Sequence, residues 1–471
     1  MAEERQHYGI TLGVLVIGAL AYALSQTLVA PALPEIQREL HTTTTAVTFV
    51  LTGYLLSASV ATPVVGRLGD MFGKERMLVA TMSVFALGSL VAALSHSIEL
   101  LIAGRVIQGV GGAVFPLSFG IIRDEFPRER VATGIGLISA TFGIGGGVGL
   151  VLSGLIVDNL SYEWLFWLGL VVIVIAIVAT HLFVPESPVK VPAKIDWGGA
   201  ALLSAGLIAL LIAVSEGNAW GWGSARVLGL FAAAAVLLAV WARFEQRVPE
   251  PLVDMNMMRA RAVLTTNLTG LLVGFGMFGS FILIPQLVQM PPSAGFGFGA
   301  TVTQAGLFLL PSTVVMLIAG PLAGWLGGRF GSKLPLVLGT LVGAASFVWL
   351  AALHDQRWMI YVGVTLLGFG IGFSFAAMAN LIVDAVDQTQ TGVATGINTI
   401  MRTIGGALGG QIAASIVAGH LGASGLPVES GFTTAFVMSA LGMAAAFALA
   451  LAIPGRARER VPGGVPAPER G

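Results

Sequence analysis

Fourteen stretches of about 20 mostly apolar residues follow one another along this 471-residue chain, and nothing else constrains its fold as much. A helix of that length crosses the ~30 Å hydrocarbon core of a bilayer. Only helices and closed barrels can do so, because every backbone N–H and C=O in lipid must be paired internally. A barrel would show short segments of alternating polarity, which are missing here. Residues are 56% hydrophobic and 10% charged, against about a quarter charged in soluble proteins. The chain therefore reads as an all-α polytopic membrane protein. Its spans are predicted at 9–32, 45–65, 77–96, 98–122, 134–157, 164–184, 197–215, 226–243, 263–288, 302–325, 334–353, 358–382, 392–418 and 431–453. The first has no obvious small-residue cleavage site and is expected to be a retained span.

Composition removes several functions. With no cysteine, disulfides and thiolate chemistry are excluded, and the six scattered His residues show no His-Glu-x-x-His pattern, so no metal site is expected. A net charge of zero argues against a nucleic-acid partner. The only Gly-Lys pair, Gly73-Lys74, is followed by Glu75 rather than by the Ser/Thr of a phosphate-binding loop. No cofactor is expected, and with no ATPase site the chain would run on an ion gradient or downhill. Nineteen of the 24 Lys and Arg residues fall in alternate loops and both terminal segments. By the positive-inside rule those segments are cytoplasmic. The excess of arginine over lysine, with abundant Ala, Gly and Val, suggests a GC-rich bacterial genome, with the bacterial inner membrane as the expected location.

The chain also repeats itself. PVVGRLGDMFGKERMLV at 63–79 returns as PLAGWLGGRFGSKLPLV at 321–337, each joining two spans across a basic loop. A step of eight spans implies two six-helix pseudo-repeats around a central cavity, with two helices inserted between them (6+2+6). Parallel repeats of this kind build transporters with a substrate site between the halves. Such a cavity would account for Arg105 and Arg402, which fall inside spans, where an arginine costs roughly 2.5–3.5 kcal/mol on insertion scales. The expected units are a six-helix bundle over 1–184, an inserted pair over 185–262, a second bundle over 263–453 and a disordered tail over 454–471.

GRLGDMFGKER (66–76), LIAGRVIQGVGGA (101–113) and GVATGINTIMRTIGGALGG (392–410) together carry a resemblance that extends over nearly the whole chain. The sequence resembles the major facilitator superfamily, in particular its fourteen-span drug:proton antiporter branch. The resemblance implies export of lipophilic small molecules by alternating access, coupled to protons. It also implies that Gly66, Asp70, Gly73, Lys74 and Arg76, with Asp124 at the end of span 4, form a conformational latch. Two positions depart from the branch. Leu150 stands where its span-5 motif has proline, and Ser25 where many members carry a span-1 aspartate.

Read physically, Asp70 lies in a tight loop entering span 3, where a carboxylate can cap a helix and pair with Lys74 or Arg76. Arg105, Gln108, Gln26, Asn398 and Arg402 are the candidates for the coupling or substrate cavity, the competing reading for each being interhelical hydrogen bonding. GIGGGVG in span 5 has no preceding strand and is read as helix packing, not dinucleotide binding. No carboxylate sits mid-membrane opposite Arg105, so neutral, zwitterionic or anionic amphiphiles suit the cavity better than dications. Expected partners are a lipophilic substrate, protons and membrane lipid, with the protein a monomer. Alternatives are a dedicated lipid or metabolite exporter or uniporter, an uptake symporter, and a non-transporting receptor. The short tail after span 14 disfavours the last.

Overall fold

The computed structural model describes residues 8–190, 194–422 and 426–454. The tail from residue 455 onward, expected to be disordered, lies outside them. Among the described residues fourteen helices are long and apolar enough to cross a bilayer. They are α1 (Tyr8–Thr27), α2 (Ala46–Phe72), α3 (Lys74–Ala93), α4 (Ile98–Glu125), α5 (Arg128–Asn159), α6 (Trp164–Phe183) and α7 (Trp197–Ser215). The remainder are α8 (Ala225–Glu245), α9 (Arg261–Gln289), α10 (Val302–Phe330), α11 (Lys333–Ala352), α12 (Arg357–Ala385), α13 (Gln388–Gly419) and α14 (Glu429–Ala452). The face with the α2–α3, α4–α5, α10–α11 and α12–α13 junctions is called the basic face below.

Several helices outrun the apolar stretches that revealed them. Helix α2 continues through Gly66 and Asp70 to Phe72, and the turn into α3 is the single residue Gly73, at φ +114°. Asp70 is therefore in the last turn of a helix, not in a loop. The polar residues lower hydropathy without ending the helix, and glycine alone reverses the chain because it tolerates positive φ. Gly331, at φ +90°, does the same between α10 and α11. Within α4, residues Val110–Ala113 tighten into a 3-10 turn at Gly111 and Gly112.

The repeat seen in sequence recurs in packing. In the first half α1 lies against α5 and α6, α2 against α4, and α3 against α4 and α6. Eight helices later α9 lies against α13 and α14, α10 against α12, and α11 against α12 and α14. The inserted pair packs on itself, with α7 against α2 and α13. Two seams join the halves, α5 on α10 and α2 on α13, and a half-turn exchange of the repeats converts one into the other. Lipid gives helices little hydrophobic reason to associate, so close backbone approach has to supply the attraction. Along α5–α10 the Gly136 and Gly320 backbones touch. A Cβ on either would overlap the other's carbonyl oxygen.

Gly136→Val is therefore expected to force the α5–α10 seam apart, lowering stability by roughly 1–3 kcal/mol as overpacking does elsewhere. Exposed Gly13 has open space around it, so Gly13→Ala should leave the thermal midpoint of the purified protein in detergent unchanged or slightly raised.

Candidate functional site

At the basic face the halves are fastened by charged contacts. The α-helical part of α13 begins at Thr391, and its N-cap residue Gln390 makes no side-chain cap. The Asp70 carboxylate, from the other half, accepts the N–H groups of Gly392 at 3.1 Å and Val393 at 3.3 Å. These are unpaired donors of a helix N-terminus, where the macrodipole also favours an anion. Gly66 makes the approach possible, since a Cβ there would lie 2.6 Å from the Gly392 carbonyl oxygen. The helix end that Asp70 meets is that of α13, in the other half.

Behind Asp70 sits Lys74, fully buried, with Nζ 3.7 Å from the Asp70 carboxylate and 2.6 Å from that of Asp124. Gly120 leaves the room its stem occupies. A second strap runs beside it. Arg123 Nη1 donates to the Asp387 carbonyl at 3.0 Å and the Thr391 hydroxyl at 2.6 Å, and Nη2 to the Val386 carbonyl at 2.7 Å. The N–H and hydroxyl of Thr389 hold the Asp387 carboxyl below its usual range, so the turn receiving Arg123 stays anionic.

Arg76 is not part of this cluster. It is exposed and faces Glu186 at 3.4 Å, in the linker after α6. That linker also closes over the α2–α3 turn: Glu186 accepts the Glu75 N–H, and the Ser187 hydroxyl donates to Asp124. The carboxylate of Glu186 lies directly over Gly73. Arg123, Glu186 and Ser187 had no signal in the sequence. Their partners are backbone carbonyls and distant residues that no local spacing reveals.

The two intramembrane arginines have different surroundings. Arg105 is completely buried within the first half. Its Nε donates to the Val50 carbonyl at 3.1 Å, and Nη1 to the Ser25 carbonyl at 3.2 Å and to Gln108 Oε1 at 2.8 Å. The Gln108 amide in turn donates to Ser89, and the Tyr54 ring covers the guanidinium at 4.0 Å. Arg402 lies 14 residues into α13, about 21 Å from its basic-face end at helical rise. It is buried between the faces of Phe375 at 4.2 Å and Phe142 at 4.9 Å. Phe142 belongs to α5, so this contact crosses the halves.

An aromatic path connects the two cations. Tyr54 stacks on Tyr22 at 5.7 Å, Tyr22 meets Phe115 edge-on at 5.8 Å, and Phe115 stacks on Phe142 at 3.8 Å. Phe115 and Phe142 belong to this path, whereas Phe308 stacks with Phe298 and Tyr361. Asn398 donates to Asn267 at 3.0 Å, one turn from Arg402. Gln26 is half-buried on α1 beside Ser25. Gln304 completes a capping box with Thr301 at the start of α10, which its position near a helix end explains.

Two repeated six-helix units joined by glycine seams, with charged straps across one face and a buried arginine where they meet, define a helical membrane transporter. The chain belongs to the Major Facilitator Superfamily, whose family model matches residues 15–410 and 266–470. It is 31% identical over 391 residues to the tetracenomycin C resistance and export protein of Streptomyces glaucescens, covering 82% of this chain and 71% of that one. The methylenomycin A resistance protein of Streptomyces coelicolor is also 31% identical, over 82% of this chain and 81% of its own. Multidrug resistance protein 3 of Bacillus subtilis is 28% identical, with coverages of 82% and 74%. The human organic anion transporter MFSD10 (TETRAN) shares the fold, with a TM-score of 0.68 over 94% of this chain and 99% of that one, at 16% identity. The protein is a multi-pass membrane transporter and not an enzyme.

Removing one partner from a buried charge network costs about 3–5 kcal/mol, because the remaining ions stay buried without compensation. Lys74→Met is therefore expected to lower the thermal midpoint strongly, and Lys74→Met with Asp124→Leu to recover part of the loss. Thermal melts of the two variants in detergent check both signs.

Proposed function

We propose that this chain is a secondary active exporter of lipophilic or amphiphilic small molecules, driven by proton entry and working by alternating access. Its setting is a bacterial inner membrane, with both termini and the basic face in the cytoplasm. The observation that carries the reading is the Asp70 cap on α13: one carboxylate of the first half holds the helix end of the second. A bond of this kind is strong while the carboxylate is charged and weak once it is neutral. It therefore suits a latch that opens when a proton arrives.

In this reading Gly66, Asp70, Gly73, Lys74 and Asp124 act as the conformational latch, and Arg123 supports it. Arg76 stabilises the α2–α3 turn from outside through Glu186. Residues 1–184 and 263–453 move as two units, and 185–262 rides on α2 and α13. Arg105, Gln108, Gln26, Asn398 and Arg402 line or brace the path between the units. Arg105 acts from within the first half, since its acceptors all belong to α1, α2 and α4. Export as the direction of transport is supported by the resistance and export activities for which the similar proteins are named.

In pump-deficient bacteria the protein should lower accumulation of lipophilic compounds, and a protonophore should abolish the effect. Asp70→Asn should reduce efflux at equal expression. The absence of native cysteine makes a labelling test clean. Ile397 is buried in the apolar cluster that α13 shares with α2 and α7, so Ile397→Cys should react with maleimide faster when Asp70→Asn is also present. Unchanged labelling would dismiss Asp70 as a latch. For orientation, an impermeant maleimide on intact cells should label Glu429→Cys and spare Lys190→Cys, and the reverse pattern would overturn the cytoplasmic assignment.

A further inference from the structure

We infer that Arg402, Phe142 and Phe375 form a recognition clamp for a planar aromatic anion: a flat ring system carrying an ionised carboxyl or phenol. The inference rests on the transport reading above and specifies the substrate class of the path between the halves.

The guanidinium of Arg402 is left incomplete by the protein. Its Nη2 donates to the Thr399 hydroxyl at 3.3 Å, and its Nε, although buried, has no acceptor. Among the described residues, none of the ion pairs involves Arg402 or Arg105. Arg105 keeps one free nitrogen as well, but two carbonyls and an amide oxygen already anchor it. Arg402 has a hydroxyl and two aromatic faces. A buried donor on a charged group is costly to leave unmet, and the Nε–Nη2 edge is the one that binds a carboxylate through two parallel bonds.

The surroundings select the rest of the ligand. Phe142 and Phe375 meet edge-on at 5.7 Å, so the guanidinium lies in an aromatic corner. Phe142 is only half-buried, and the half-buried rings of Phe278 and Phe281 meet edge-on at 6.2 Å, with Phe278 against Gly406, one turn from Arg402. Phe281 reaches across to Gly146 of α5. On α9, Gly270 and Gly274 bring the helix against Arg402 itself, where a Cβ on Gly274 would strike the Arg402 backbone. A flat ring can lie against the edge of Phe142 and the half-buried rings of Phe278 and Phe281 while its anion meets the guanidinium edge, combining aromatic contact with charge-assisted hydrogen bonds. A cation gains the aromatic contact but meets the unpaired charge of Arg402. Because Phe142 and Arg402 belong to different halves, a ligand held by both senses their relative position.

The test uses the full chain, purified into lipid nanodiscs, and two probes of one shape: anthraquinone-2-carboxylate and its neutral carboxamide. Equilibrium dialysis is expected to show the carboxylate bound at least about tenfold more tightly, the size expected of a charge-assisted hydrogen bond. Arg402→Gln should erase that preference, Arg402→Lys should restore part of it, and Phe142→Leu should weaken both probes alike. Should a change at buried Arg402 impair folding, the comparison of the two probes on the unaltered protein decides alone. Equal or tighter binding of the carboxamide, or no binding of the carboxylate, overturns the inference. Efflux of neutral or cationic compounds in cells, alongside such a result, would leave the export reading standing while the anion clamp falls. Binding of the carboxylate with no efflux of any compound would do the opposite.

Discussion

In lipid the two halves of this transporter cannot be held together by hiding apolar surface, because hydrocarbon is on offer everywhere. What joins them is backbone contact at glycine and a few charge-assisted bonds at one face. Gly136 against Gly320 and Gly66 against Gly392 bring pairs of helices close enough to touch. At the second of these seams, the approach places the Asp70 carboxylate on the open N–H groups of α13. Glycine packing and the charged cap are thus one device: without the small residue the bond could not form. Such contacts are short-ranged and directional, which fits a joint proposed to open and close more than one that is permanent.

The buried charges sort by how fully the protein compensates them. Lys74 lies between two carboxylates and is matched by its own chain. Arg105 has no carboxylate but is anchored by carbonyl oxygens, Gln108 and the Tyr54 ring, which fixes α4 against α1 and α2. Arg402 is the least compensated, and it faces the opposite half. The least compensated of the three is thus the one at the contact between the halves, beside Phe142 of α5. The aromatic residues from Tyr54 to Phe142 link the two arginines, covering each cation where no anion is supplied.

Much of the architecture was legible in the sequence because the bilayer enforces a simple code. Fourteen apolar runs had to be helices, and the returned motif at 63–79 and 321–337 had to mean a repeated unit. The helix ends were less legible. Hydropathy marks where a helix leaves hydrocarbon, not where its hydrogen bonding stops, so α2 and α10 extend beyond the apolar stretch to Gly73 and Gly331. Of the candidate site, Asp70, Lys74 and Asp124 do meet, while Arg76 points to Glu186 instead. Tyr22, Tyr54, Phe375, Arg123 and Ser187 acquire their roles from neighbours tens or hundreds of positions away, and nothing in their local sequence distinguishes them.

The sequence by itself determined the class of protein, the number of spans, the doubling of the chain and the presence of two cations where lipid should be. Those are one-dimensional facts: they follow from length, hydropathy and repetition, which do not depend on what packs against what. Tertiary structure alone decided which helix Asp70 caps, why Lys74 can be buried at no uncompensated charge, and how Arg105 differs from Arg402. Each of those is a matter of which groups share a small volume. The free energy of a buried ion is set by the oxygens and rings within a few ångströms of it, and in a fourteen-helix bundle these come from parts of the chain that the sequence keeps far apart.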